Sequence, residues 1–335
     1  MALISAIVLL RIGMSMSANA ENTFLAKWRP VLLEALSVGE PGDLPVLHSR
    51  DCMSFLRLWN YLQESLRGSA NDTLNEMARR LQCDRLARRL LEAGTRAHRL
   101  TAILTLGHLR DWESWAPLQL QAATTDSVAS IYAARALLKI DPMRATEQLI
   151  VLMLTRHDWS VPQLARFLTE AQDAFAVRLS ENLLQIDEQH WPRALELTHA
   201  LNLQLPHESL RFVMANCKTV EALVAALHLA TSPQLLPTVS GYASHASWQV
   251  RIEVARFLGN VGGPAELPLL QRLLHDRNWW VRYHAARSLV DMPAVGLNEL
   301  NKLRAITRGS LAFDMLDHVL AERNGIASSM KAIGA

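Results

Sequence analysis

The sequence predicts an all-α chain: a right-handed α-solenoid whose helix pairs repeat about every 31 residues. Three observations predict it. Trp248-Gln249-Val250-Arg251-Ile252-Glu253-Val254-Ala255-Arg256-Phe257-Leu258 recurs as Trp279-Trp280-Val281-Arg282-Tyr283-His284-Ala285-Ala286-Arg287-Ser288-Leu289, with Trp, Val, Arg, Ala, Arg and Leu identical at an offset of 31 residues. The Ala-Arg-x-Leu core of this element appears again at Ala134–Leu137 and at Ala165–Leu168, once more 31 residues apart. Self-similarity at such a period marks stacked supersecondary units that bury their apolar faces against one another. Composition agrees: half the chain is apolar, Leu and Ala dominate, and β-branched runs are few.

From the N-terminus, Met1 to Leu10 is almost wholly apolar, Arg11 follows, and Ile12 to Ala20 carries no charge. Three readings of residues 1–22 remain open. A membrane anchor would bury Ala2–Leu10, although this run falls short of the roughly 20 residues needed to span a bilayer. A cleaved signal would use Ala18-Asn19-Ala20, but lacks a basic residue ahead of its apolar region. An ordinary helix is the third. Arg11, Lys27 and Arg29 follow the apolar stretch, so the anchor reading places the rest of the chain on the cytoplasmic side of an inner membrane; the signal reading would deliver it to the periplasm.

Residues 23–95 read as a helical cap on the array, because they lack the repeated element and terminal repeats are usually atypical. Thr23 to Leu36 places Phe24, Trp28, Val31, Leu32 and Ala35 on one helical face, with Pro30 within it. Cys52 to Leu66 forms a second helix with Phe55, Leu58, Trp59 and Leu62 as its stripe, ended by a break over Gly68–Asp72. Thr73–Leu81 and Arg85–Leu91 form a helical pair. Arg79, Arg80, Arg85, Arg88 and Arg89 crowd this pair; they are either solvated helix faces with local ion pairs or a contact for lipid head groups or an acidic partner.

The repeats occupy residues 96–323. In the last clear copy Val281, Ala285, Ala286 and Leu289 form one stripe, with small Ala allowing close approach of a neighbouring helix. Asp158-Trp159 and Asn278-Trp279 read as caps followed by a large packing residue, and Gly107 as the seat of a close turn. Residues 324–335, rich in Gly, Ser and Ala, read as a flexible tail.

The helix-turn-helix unit with its Trp/Val-Arg and Ala-Arg-x-Leu signature resembles a HEAT repeat of the short bacterial kind, the kind also found in phycobilin lyase subunits. The resemblance is strong over 241–292, fair over 96–170 and weaker between. It implies that Arg251 and Arg282 pair with acids of adjacent repeats, with Asp276 and Glu253 as candidates. It also implies a surface for protein partners.

Little else points to chemistry. No phosphate-cradling glycine loop, no His-Glu-x-x-His and no Gly-x-Ser-x-Gly is present. The 12 histidines are scattered, and Cys52, Cys83 and Cys217 lie far apart, which fits buried thiols rather than a disulfide framework. A net charge of +2 gives no global nucleic-acid footprint. The expectation is therefore a non-catalytic, cofactor-free scaffold or accessory subunit beside a membrane enzyme, such as an envelope polysaccharide glycosyltransferase. The alternative is a HEAT-like enzyme or enzyme subunit, of lyase or DNA-glycosylase type. The expected partner surface centres on Trp248, Arg251, Trp279, Trp280 and Arg282, where Trp and Arg are the residues best able to supply binding energy. Of the neighbouring indoles, Trp279 recurs at the repeat offset and is the expected inter-repeat staple.

Overall fold

A computed structural model describes residues 20–293 and 295–333, with side chains over 23–293 and 295–323. The apolar segment 1–19 lies outside the described residues. The described residues are predominantly helical and contain no strand. It divides into two compact units, one ending at Arg178 and the other beginning at Leu179.

In the first unit, α1 (Ala20–Val38), α2 (Cys52–Ser65), α3 (Ser69–Arg80) and α4 (Cys83–Ala93) form the cap. The helical stripes foreseen there meet in one core: Phe24, Trp28 and Leu32 of α1 pack with Phe55, Trp59 and Leu62 of α2 and with Leu74 and Met77 of α3. Trp28 and Phe55 lie 4.7 Å apart, ring to ring. Trp59 is fully buried, and its indole N–H donates to the Leu74 carbonyl at 2.8 Å. The break between α2 and α3 is shorter than Gly68–Asp72, because Ser69 already starts α3. Gly68, at φ 71°, makes the turn.

The array continues through α5 (Arg96–Leu109), α6 (Trp115–Ala122), α7 (Ser127–Ile140), α8 (Pro142–Thr155), α9 (Val161–Leu168) and α10 (Gln172–Asn182), the last of which carries the division between units. The second helices of successive pairs lie side by side: α2 on α5, α5 on α7, and α7 on α9. Gly107 serves this packing and makes no turn. It sits inside α5, and a methyl group there would stand 2.8 Å from the Ala136 Cβ of α7. Two connections in this unit use left-handed backbone at non-glycine residues, Gln82 at φ 55° and Arg110 at φ 52°.

The second unit repeats the scheme. Its helices are α11 (Trp191–Ala200), α12 (His207–Asn216), α13 (Val220–Leu229), α14 (Leu236–Ser240), α15 (Trp248–Val261), α16 (Leu267–Leu274), α17 (Trp279–Asp291), α18 (Leu297–Ile306) and α19 (Leu311–Ile333). Helices α11, α13, α15, α17 and α19 stack in that order, with α12, α14 and α16 packed against them. The stacked helices pack chiefly on the ones before and after them, which is the one-dimensional logic of an α-solenoid. Ala255 and Ala286 are fully buried at these junctions. Residues 324–333, expected as a loose tail, continue α19 as helix. None of the described helices is long and apolar enough to cross a membrane.

Candidate partner-binding surfaces

Helix α17 begins abruptly at Trp279. Asn278 caps it, accepting the Trp280 N–H at 2.9 Å. Both indoles therefore leave the first turn of the helix. Trp279 is 43% exposed and Trp280 51%. Trp279 stacks on Tyr283, one turn on, at 5.3 Å and 8°, and meets Trp280 edge to face at 4.7 Å. His318 of α19 adds an edge 6.5 Å from Trp279, and the Tyr283 hydroxyl donates to Glu322 at 3.0 Å. Trp279 is thus part of a surface aromatic patch that also reaches His318 of the next stacked helix, and is not a fully buried staple. Trp248, at the start of α15, is 38% exposed. Trp159 differs because it precedes its helix: it is fully buried, and its indole donates to Ser130 Oγ at 2.9 Å. Asp158 beside it pairs with Arg156.

Arg251 and Arg282 turn inward. Each guanidinium reaches back over the start of its own helix to two loop carbonyls: His245 and Ala246 for Arg251, Asp276 and Arg277 for Arg282. Arg251 also makes a two-pronged ion pair with Asp276, at 2.7 and 2.8 Å. The pairing with the next repeat that the resemblance implied is therefore present. Burial alone would raise the Asp276 carboxyl, but the Arg251 bonds and the Asn278 N–H hold it below the usual carboxylate range. Among the described residues Arg282 has no such acid. The residue 31 places after Asp276 is Thr307, and the Arg282 Nε has no hydrogen-bond partner among the described residues. Glu253, the other candidate, holds Arg256 and His228 instead. Of the five residues expected at the partner surface, the three tryptophans present area to solvent and the two arginines tie loops to helices.

The arginine-rich cap is largely self-satisfied. Arg79 donates to the Leu109 carbonyl, Arg80 to Glu76 and the Pro41 carbonyl, and Arg88 to Asp84, Asp111 and Glu113. These contacts favour the local ion-pair reading of that run, leaving Arg85 and Arg89 as its more open members.

A second surface, not anticipated from sequence, is a groove of about 770 Å³ on the first unit, along the face of α2, α5, α7 and α9. Its centre is Glu64 of α2. Arg135 of α7 grips this carboxylate through two bonds of 2.6 and 2.8 Å, and His108 of α5 approaches it at 3.0 Å. The hydrogen bond from His108 and the Arg135 contacts keep Glu64 ionised far below its ordinary value. Ionised Glu64 can only accept, so the His108 Nε2–H donates to it, while burial lowers the imidazole from its ordinary value. Arg135 also stands 4.7 Å over the Phe167 ring. The signal for this groove was in view: Arg135 and Arg166 are the arginines of two Ala-Arg-x-Leu cores, and the same repeat position in α5 is Leu104.

Residues 215–290, from the end of α12 to α17, match the family model of HEAT repeats. No curated protein matches the chain. The second unit thus carries a HEAT-like stretch, and such repeats fit a protein-interaction scaffold.

Proposed function

We propose that this protein is a non-catalytic scaffold or accessory subunit that holds a partner protein against the exposed face of its stacked helices. The patch of Trp279, Trp280 and Tyr283 carries this reading. Two indoles about half exposed on a rigid helix are large apolar surfaces left in water, and Trp is enriched where interfaces bind most strongly. The HEAT-like match over the same helix supports it. The finer reading follows the sequence: residues 1–22 attach the protein to the cytoplasmic face of a bacterial inner membrane, beside an envelope polysaccharide glycosyltransferase.

The test is Trp280→Ala in the full chain, with crosslinking in membranes of the native host. The melting temperature should stay nearly constant, since the side chain is half in solvent, while the crosslinked partner band disappears. A large fall in melting temperature, or an unchanged band, would remove the reading for this surface. Fractionation of a variant lacking residues 1–22 tests the attachment: it should leave the membrane pellet.

A further inference from the structure

We propose that the groove on the first unit docks an acidic peptide segment of a partner protein, whose carboxylates are taken by Arg67, Arg110 and Arg166. The inference deepens the scaffold reading and rests on it.

Five cations line the groove (Arg67, Arg110, Arg135, Lys139 and Arg166) against two carboxylates, Glu64 and Glu170. Both carboxylates are engaged: Glu64 with Arg135 and His108, Glu170 with Lys139 at 3.4 Å. Among the described residues no carboxylate lies within ion-pair distance of Arg67, Arg110 or Arg166, and all three are exposed on the groove wall. A concave surface lined by one sign of charge focuses its field and draws in the opposite sign.

The second unit provides the contrast. Arg256 and Arg287 occupy the repeat position of Arg135 and Arg166, yet each has an acid on its own helix: Glu253 at 3.0 Å and Asp291 at 3.7 Å. The repeat position itself therefore does not dictate an uncompensated arginine. Of these four arginines only Arg166 has no acid among the described residues, since Arg135 is held by Glu64.

The geometry fits a peptide. Stacked helices lie roughly 8–10 Å apart, and an extended polyproline-type chain advances about 9 Å over three residues. Arg67 follows α2, Arg110 follows α5 and Arg166 lies on α9, so a segment of roughly nine extended residues would cross the groove from the first to the last of these cations. Asn71 lines the same wall with a side-chain carbonyl that has no hydrogen-bond partner among the described residues, whereas the Gln63 amide is spent on the Asn71 backbone carbonyl and Asn75. A continuous string of phosphates suits the groove less well, because Glu64 and Glu170 interrupt its floor and the whole chain carries only +2.

The experiment measures fluorescence anisotropy of a labelled peptide with glutamate at every third position and serine or proline between, titrated with the full chain at low salt. Saturable binding that weakens as salt rises is expected. The double variant Arg67→Glu/Arg166→Glu should lose at least about tenfold in affinity with an unchanged melting curve, as both side chains are exposed. Arg256→Glu/Arg287→Glu should bind like the parent. Absence of binding by the parent, or equal binding by the groove double variant, overturns the proposal. Tighter binding of a single-stranded oligonucleotide, abolished by the same reversals, also overturns it in favour of nucleic acid. The peptide reports the groove alone and Trp280→Ala reports partner capture, so each idea can fail without the other.

Discussion

Gly259 of α15 lies so close to Ser288 of α17 that a methyl group added to it would stand 2.5 Å from the serine Cβ and 2.9 Å from its Cα. The serine completes the junction, its hydroxyl donating to the Ala255 carbonyl at 2.8 Å. Gly107 and Ala136 repeat the relationship between α5 and α7. Backbone approach this close is what fixes the spacing of neighbouring second helices. Gly259→Ala should therefore push α15 from α17 and destabilise the chain by about 1–3 kcal/mol. That sign is opposite to the gain expected from helix propensity alone at an open site. Denaturant unfolding measures it, and a stabilised variant would show that the junction relaxes freely.

The loop clamps differ in the same measurable way. Arg251 and Asp276 are both largely buried, so Arg251→Met strands a carboxylate and should cost about 3 kcal/mol. Arg282→Met removes bonds to two carbonyls but strands no charge, and should cost less than half as much. Equal losses in urea unfolding would mean that the carbonyl bonds alone matter.

Glu64 makes the first unit sensitive to acid. Its folded-state value lies well below the ordinary 4.5, so the unfolded chain takes up the proton first as pH falls. The stability that Glu64 contributes is complete above about pH 4.5 and is lost below it. Buried His108 acts in the same direction from the ordinary 6.5 downward, because only the unfolded chain gains the charge. Glu64→Gln should lower the melting temperature at pH 7, and the gap from the parent should narrow as pH drops below 4.5. A gap independent of pH would show that the carboxylate charge is not what ties α2 to α5 and α7.

The period of 31 residues made the helix pairs and the buried Ala255 and Ala286 legible, because small residues recur only where helices touch. The same period misplaced Trp279. Recurrence reports an equivalent position, not its depth, and Trp279 touches His318 of the next stacked helix while staying 43% exposed. The groove escaped notice because its lining runs from Gln63 to Glu170 and assembles only on folding. Arg135 and Arg166 were visible as part of a helix signature, while Glu64, 71 residues before Arg135, carried no pattern of its own. The division near Arg178 coincides with the region where the signature fades.

Arg110 joins two properties that usually vary separately. Its left-handed backbone, at φ 52°, closes the turn after α5, and its side chain adds charge to the groove. A β-carbon costs about 1–2 kcal/mol in that conformation, only partly offset by the extra freedom glycine brings to the unfolded chain. Arg110→Gly should then raise the melting temperature while weakening capture of the acidic peptide. A heat-selected library of this chain should drift toward glycine at 110, whereas selection for peptide capture should retain arginine there, so thermal tolerance and recognition pull this one codon in opposite directions.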